Sequence, residues 1–347
     1  MFVHKAWYAA VRSDELRDKP FARTFLEQPV VLYRTRNGTP VALEDRCPHR
    51  FLPLSMGCVI GDQIRCGYHG LVYDPSGKCV SVPTQASVPK SAVVRAYPLI
   101  EKFGFIWIWM GNPAAADAKL LPQFGLDVNL EHHVSDGWSP AHGYYCPKAN
   151  YLLVVDNLLD LSHITYVHAG SLSAGGFDQA EVHVKVEASH VRDLRVARDI
   201  AAGPAYASMV GGEDVRIDYW LDMHWQSPCN LLLDVAMPKA GQPKHSGVRF
   251  LSSQLVTPET RVSSHYYWVS SRNFFLGDDE YTRGWQKIVA DAFDQDAAVL
   301  SAQQARIGDN DLLDLKPVLL KSDQASVQAR RIVKRMLQAE TLVGQSA

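Results

Sequence analysis

The chain has 347 residues, 47% of them apolar and 21% charged, with a formal net charge of −2. That length suits two domains of ordinary globular composition, and the charge provides no field that calls for nucleic acid or a membrane surface. The start, Met1-Phe2-Val3-His4-Lys5, is not a secretory signal, and no run approaches the roughly 18 apolar residues of a membrane span, so a cytoplasmic protein is expected.

The first third reads as β-structure. Val30–Tyr33, Pro40–Glu44 and Phe105–Trp109 are short β-branched or aromatic runs. Asn37-Gly38 is a hairpin signal, and Pro75-Ser76-Gly77 is a second turn. Two motifs interrupt these strands: Cys47-Pro48-His49-Arg50 and, with a gap of sixteen residues between His49 and Cys66, Cys66-Gly67-Tyr68-His69-Gly70. Each offers one thiolate and one imidazole. Two such pairs suit a Rieske centre, in which two Cys hold one iron and two His the other. A structural zinc site with two Cys and two His ligands uses the same residue types. The remaining cysteines, Cys58, Cys79, Cys146 and Cys229, show no framework spacing and read as free thiols in a reducing compartment.

A boundary is expected near Gly111–Asp117, where small and breaking residues follow a strong strand. This divides the chain into 1–117 and 118–347. In the second part Asp156–His168 has a helical look, and strands are expected over Val182–Val186, Val215–Trp220, Leu231–Val235, Val248–Val256 and Val262–Val269. A long helix over Asp279–Ile307 and a terminal one near Val327–Glu340 complete an α+β pattern, with a twisted antiparallel sheet gripping a helix.

His163 and His168 lie five residues apart beside Asp156 and Asp160. On an uninterrupted helix their rings would diverge by about 140°, so they share one ion only if the helix ends or distorts. The long helix offers two carboxylates. Asp296 falls inside an apolar stripe of Trp285, Val289, Ala292, Phe293, Val299 and Leu300, whereas Asp294 falls opposite. A carboxylate inside a buried stripe needs a cation or a partner, which selects Asp296. Two His and one carboxylate form the open-faced ligand set of non-haem Fe(II) oxygenases.

Taken with Trp7-Tyr8, Asp156–His163, Thr257–Thr260 and Ser271–Phe274, these motifs resemble the oxygenase components of Rieske non-haem iron oxygenases over most of the length. The group most similar contains vanillate O-demethylase, toluenesulfonate methyl-monooxygenase and dicamba O-demethylase. The resemblance implies an all-β Rieske domain followed by a helix-grip (START/Bet v1-like) catalytic domain. It implies a [2Fe–2S] cluster on Cys47, His49, Cys66 and His69, and a mononuclear Fe(II) on His163, His168 and Asp296. Asp160 becomes the acid linking the two metal sites across subunits of a head-to-tail homotrimer, with Asp156 as the alternative. A bridge between Cys58 and Cys79 is an option that relatives allow.

The implied reaction is O2-dependent mono-oxygenation, either O-demethylation or methyl hydroxylation, of a small, anionic aromatic compound. The alternatives are a ring-cis-dihydroxylating dioxygenase and an electron carrier with an inactive second domain. The chain has no dinucleotide-binding fingerprint, so electrons are expected from a separate NAD(P)H-dependent reductase with flavin and a ferredoxin-type [2Fe–2S]. Arg46, Arg50 and Arg65 flank the cluster motifs and suit either an acidic donor or a solvated rim. Asn230, Gln254 and Trp285 are candidate pocket residues, and Asn157 is placed near the iron by motif position alone. Gln295 stands where relatives often carry Glu.

Overall fold

A computed structural model describes residues 1–125, 128–168, 179–204 and 206–344. The chain forms two compact units. One comprises Phe2–Leu121 with Thr257–Thr260, and the other comprises Met1, Pro122–Val256 and Arg261–Ala347.

The N-terminal unit contains three small antiparallel sheets. The first has order β1 (Trp7–Arg12), β10 (Phe105–Trp109), β9 (Leu99–Lys102). A second joins β2 (Phe21–Phe25), β3 (Gln28–Arg34) and β4 (Pro40–Glu44). The third joins β5 (Cys58–Ile60), β6 (Gln63–Arg65), β7 (Val72–Tyr73) and β8 (Cys79–Ser81). β10 reads Phe-Ile-Trp-Ile-Trp and is buried at every position, so burial of those five side chains contributes on the order of 10 kcal/mol. The Asn37-Gly38 hairpin joins β3 to β4, with Gly38 in the left-handed region at φ 85°. A buried core that includes Val31, Tyr33, Leu43, Leu54, Ile64 and Tyr73 also takes in Cys47 and Cys66.

The larger unit is built on one seven-stranded antiparallel sheet. Its order is β11 (Ser139–Tyr145), β17 (Ser263–Arg272), β16 (Val248–Thr260), β15 (Asn230–Met237), β14 (Arg216–Gln226), β13 (His190–Ala201), β12 (Glu181–Glu187). Among the described residues five α-helices accompany it: α1 (Tyr151–Leu159), α2 (Ile164–Val167), α3 (Ala207–Val210), α4 (Asp279–Ile307) and α5 (Gln324–Gly344). α4 starts where the Asp278 side chain accepts the Tyr281 N–H, with Asp279 and Glu280 favourably placed in its first turn. Its buried positions are Trp285, Val289, Ala292, Asp296, Leu300 and Gln304, a stripe of three- and four-residue steps. Val299, expected in that stripe, is 38% exposed. Leu300 and Gln304 carry the stripe on, one position around the helix.

One sheet face holds a buried ionic network. Asp222 and Asp234 oppose each other across β14 and β15. Asp222 takes two bonds from Arg192 and one from Lys244, and Asp234 pairs with Arg249 and Lys244. Removing one partner of such a pair leaves an uncompensated buried charge. Cys58 and Cys79 are both thiols, and the bridge between them is not formed. Their strands lie at opposite edges of the β5–β8 sheet, and the Cys79 thiol is spent on the Ser81 carbonyl. Among the described residues no helix is long and apolar enough to cross a membrane.

Candidate metal centres

The two cluster loops share one backbone plan. Cys47 N–H donates to Leu52 O and Phe51 N–H returns to Cys47 O; likewise Cys66 N–H donates to Leu71 O and Gly70 N–H to Cys66 O. The residue four after each cysteine is left-handed: Phe51 at φ 60° and Gly70 at φ 75°. Glycine takes that conformation at little cost, whereas Phe51 is strained and is held by its loop bonds.

This plan brings like ligands together. The Cys47 and Cys66 thiols are buried and close enough to interact, and burial first, then the Cys47 contact, pushes the Cys66 thiol up. The His49 and His69 rings stand 4.4 Å apart at 66°, with His49 exposed. Two thiolates inside and two imidazoles towards solvent fit a cluster whose irons take one ligand type each. The Tyr73 hydroxyl lies 3.3 Å from Cys47 Sγ. A donor to a ligating sulfur favours the reduced cluster, so Tyr73→Phe should lower its potential by up to roughly 60 mV, about one order of magnitude for one electron. A spectroelectrochemical titration checks this. Arg46 pairs with Glu44, and Arg65 donates to Cys58 Sγ.

In the larger unit the helix carrying Asp156 ends before the histidines. Asp160 leaves helical geometry at φ −88°, ψ 79°, ends α1, and caps the next turn by accepting Ser162 N–H at 3.1 Å. The 3₁₀ turn Leu161–His163 then leads into α2, and His168 terminates it at φ −109°. These departures from one continuous helix bring the two rings together. His163 Nε2 and His168 Nε2 are 3.3 Å apart. Asp296 Oδ1 lies 3.4 Å from the first and Oδ2 lies 3.3 Å from the second. Ligands at about 2.1 Å and right angles would be about 3.0 Å apart, so the triangle needs only slight contraction around an ion.

The outer nitrogens are also committed. His163 Nδ1 lies 2.5 Å from the Asp160 carbonyl oxygen, and His168 Nδ1 lies 2.7 Å from Gln295 Oε1. Each Nδ1–H therefore donates outward and each Nε2 lone pair faces the site. Burial opposes a charged His168, yet the bonds to Asp296 and Gln295 outweigh it and hold its pKa above the usual value. The same surroundings favour a metal cation in the proton's place. Gln295→Leu should leave His168 Nδ1 without an acceptor and weaken Fe(II) binding about 10- to 100-fold, with the cluster spectrum unchanged. A metal titration checks it.

The other candidates separate. Asn157 Nδ2 donates to Asp296 Oδ1 at 3.1 Å. Asp156 is held bidentately by Arg330 on α5, which sequence spacing could not reveal. Gln254 and Trp285 line a cavity of about 90 Å³ that opens on His163, His168 and Asp296. Asn230 is buried at the start of β15 and is not among the lining residues. The cavity is walled by alternate residues of the sheet: Tyr219, Leu221 and Met223; Leu233 and Val235; Phe250, Ser252 and Gln254; and Ser270.

The Rieske [2Fe-2S] domain family matches residues 6–98, and the vanillate O-demethylase oxygenase C-terminal domain family matches residues 148–339. The chain is 36% identical to the dicamba O-demethylase oxygenase component of Stenotrophomonas maltophilia, over 98% of this chain and 99% of that one. It is 32% identical to the chloroacetanilide N-alkylformylase oxygenase component of Rhizorhabdus wittichii, over 98% and 97%. The crystal structure of dicamba monooxygenase bound to 3,6-dichlorosalicylic acid superposes with a TM-score of 0.91 at 35% identity, covering 98% of this chain and 99% of that one. The Rieske match decides between cluster and zinc, and both domains together require a mononuclear iron site as well as a [2Fe–2S] site. Sequence identity at this coverage makes the chain a Rieske non-haem iron oxygenase, a terminal oxygenase component most similar to the vanillate, toluenesulfonate and dicamba group.

Proposed function

We propose that the enzyme mono-oxygenates a small, single-ring aromatic compound at a methoxy or methyl carbon, releasing formaldehyde and a phenol, or a benzylic alcohol. The observation that carries this reading is the cavity itself. It is narrow, mostly apolar and open on the ligand triangle. At about 90 Å³ it is smaller than the apolar cavities on the order of 150 Å³ that admit benzene, so a single ring is the largest aromatic it suits, and seating one requires the lining side chains to move apart.

When bound, the [2Fe–2S] cluster and the ferrous ion supply one-electron transfer and O2 activation. The chain's own residues do the remaining work. His163, His168 and Asp296, which converge on the cavity lining, would hold the ion at the cavity's edge. Asp160 and Gln295 fix the two ring orientations through Nδ1. Leu158, Leu221, Val235, Phe250 and Val289 exclude water and hold the ring by contact. One oxygen atom enters the methyl carbon and the other leaves as water, which requires two electrons from outside. A flavin reductase with a ferredoxin-type [2Fe–2S] docks near the cluster loops to deliver them.

In this reading the protein is a cytoplasmic homotrimer, in which Asp160 of one subunit meets the cluster histidines of the next. Supplying a surrogate reductase, NADH and candidate methoxy- and methylarenes tests the reaction. Formaldehyde or a benzylic alcohol in step with O2 uptake is the expected product; a cis-diol would overturn the reading. Light scattering should give three times the chain mass.

A further inference from the structure

We propose that the cavity selects an uncharged substrate: one methoxy- or methyl-substituted ring whose polar group is a neutral hydrogen-bonding function, such as an amide or phenol, held at Gln254. This names the substrate class of the site and rests on the oxygenase reading above. It departs from the anionic substrate that the sequence resemblance implies.

Besides the metal ligands and the Tyr206 and Tyr219 hydroxyls, which bond to each other at 2.8 Å, the polar residues of the lining are Gln254, Ser252 and Ser270. Gln254 is 2% exposed. Its Nε2 donates to Ser252 Oγ at 3.1 Å, and its Oε1 is buried without a partner. A buried carbonyl without a donor is a standing penalty. A ligand N–H or O–H that reaches it removes that penalty as well as making a bond. The Ser252 hydroxyl accepts from Gln254 and keeps its own hydrogen to donate. Ser270 Oγ does the same, because it accepts from Trp285 Nε1 at 3.0 Å. One acceptor beside two donors complements an amide or a phenol. Either end of the Gln254 amide is neutral, so selection by charge does not depend on which end faces the ligand.

A carboxylate or sulfonate meets a different balance. Among the described lining residues none is Lys or Arg. The lining's one acid, Asp296, serves the metal. Arg272 is fully buried and is not among the lining residues; its Nη2 donates to the carbonyls of Phe275 and Asp278 and to the Thr282 hydroxyl, while its Nε and Nη1 have no partner and do not reach the lining. An anion entering this cavity would lose its hydration without gaining a counter-charge at the polar wall.

Matched pairs of equal shape test the proposal: 3-methoxybenzamide against 3-methoxybenzoate, and 4-methylbenzenesulfonamide against 4-methylbenzenesulfonate. Affinity for the iron-loaded enzyme is read by calorimetry and by quenching of protein tryptophan fluorescence, to which Trp285 in the wall contributes. The neutral member of each pair should bind at least about tenfold tighter, and Gln254→Leu should shrink that margin to below about threefold. Equal or tighter binding of the anions overturns the proposal, as does the absence of binding by both members. O2 uptake and product are measured separately with the reductase. Neutral ligands that bind but give no product would sink the oxygenase reading and leave the selection by charge standing. Anions that bind and are demethylated would do the reverse.

Discussion

Asp296→Ala should lose the mononuclear iron while the iron–sulfur cluster stays. Asp296 is 2% exposed and supplies both carboxylate oxygens to the triangle, one towards each histidine. Without it two neutral imidazoles remain, and the charge that favours a divalent ion over a proton is gone. The Asn157 amide also loses its acceptor. Iron should fall from three to two per chain and turnover by at least about 10³-fold. Cys47, His49, Cys66 and His69, the candidate cluster ligands, belong to the other unit, so the visible absorption and the EPR signal of the reduced cluster should be unchanged. Retention of three irons per chain would mean that another group is the third ligand. Asp294, the rival on the same helix, is exposed.

That choice was legible because it rests on periodicity. A carboxylate at a core position of a 29-residue helix stands out against its stripe. The candidate cluster ligands stand out for a different reason, since two short motifs carry both ligand types within a few residues. The convergence of His163 and His168 was not legible. It depends on Asp160 ending one helix and capping the next turn, a backbone choice that many sequences of this composition would not make. Gln295 and Arg330 were missed as partners because a side-chain contact across 127 or 174 residues leaves no local pattern. Asn230 and Gln254 show how parity decides a pocket. On β15 the cavity is lined by Leu233 and Val235, so Asn230, an odd number of positions away, points to the other face. On β16 Gln254 keeps step with Phe250 and Ser252 and reaches the cavity.

Asp160→Asn should keep both metals and slow the transfer of electrons between them. The Asp160 side chain accepts from the Ser162 backbone N–H and hydroxyl through Oδ1, and its carbonyl oxygen meets His163 Nδ1. Asparagine retains an Oδ1 and the same carbonyl, so the turn and the His163 orientation survive. What disappears is the negative charge and the second carboxylate oxygen, which an acid joining imidazoles of two subunits would need. Arg195, 3.9 Å from Oδ1, also loses part of its counter-charge. Single turnovers of pre-reduced enzyme with O2 and substrate should show cluster oxidation slowed on the order of 10- to 100-fold, with three irons per chain retained. Asp156→Asn is the matched control. It weakens the pair with Arg330 that ties α1 to α5, so its cost should appear in thermal stability and leave the transfer rate intact. If Asp160→Asn oxidises its cluster at the parent rate, Asp160 serves only as the cap of its turn, and the route between the metals runs through another residue.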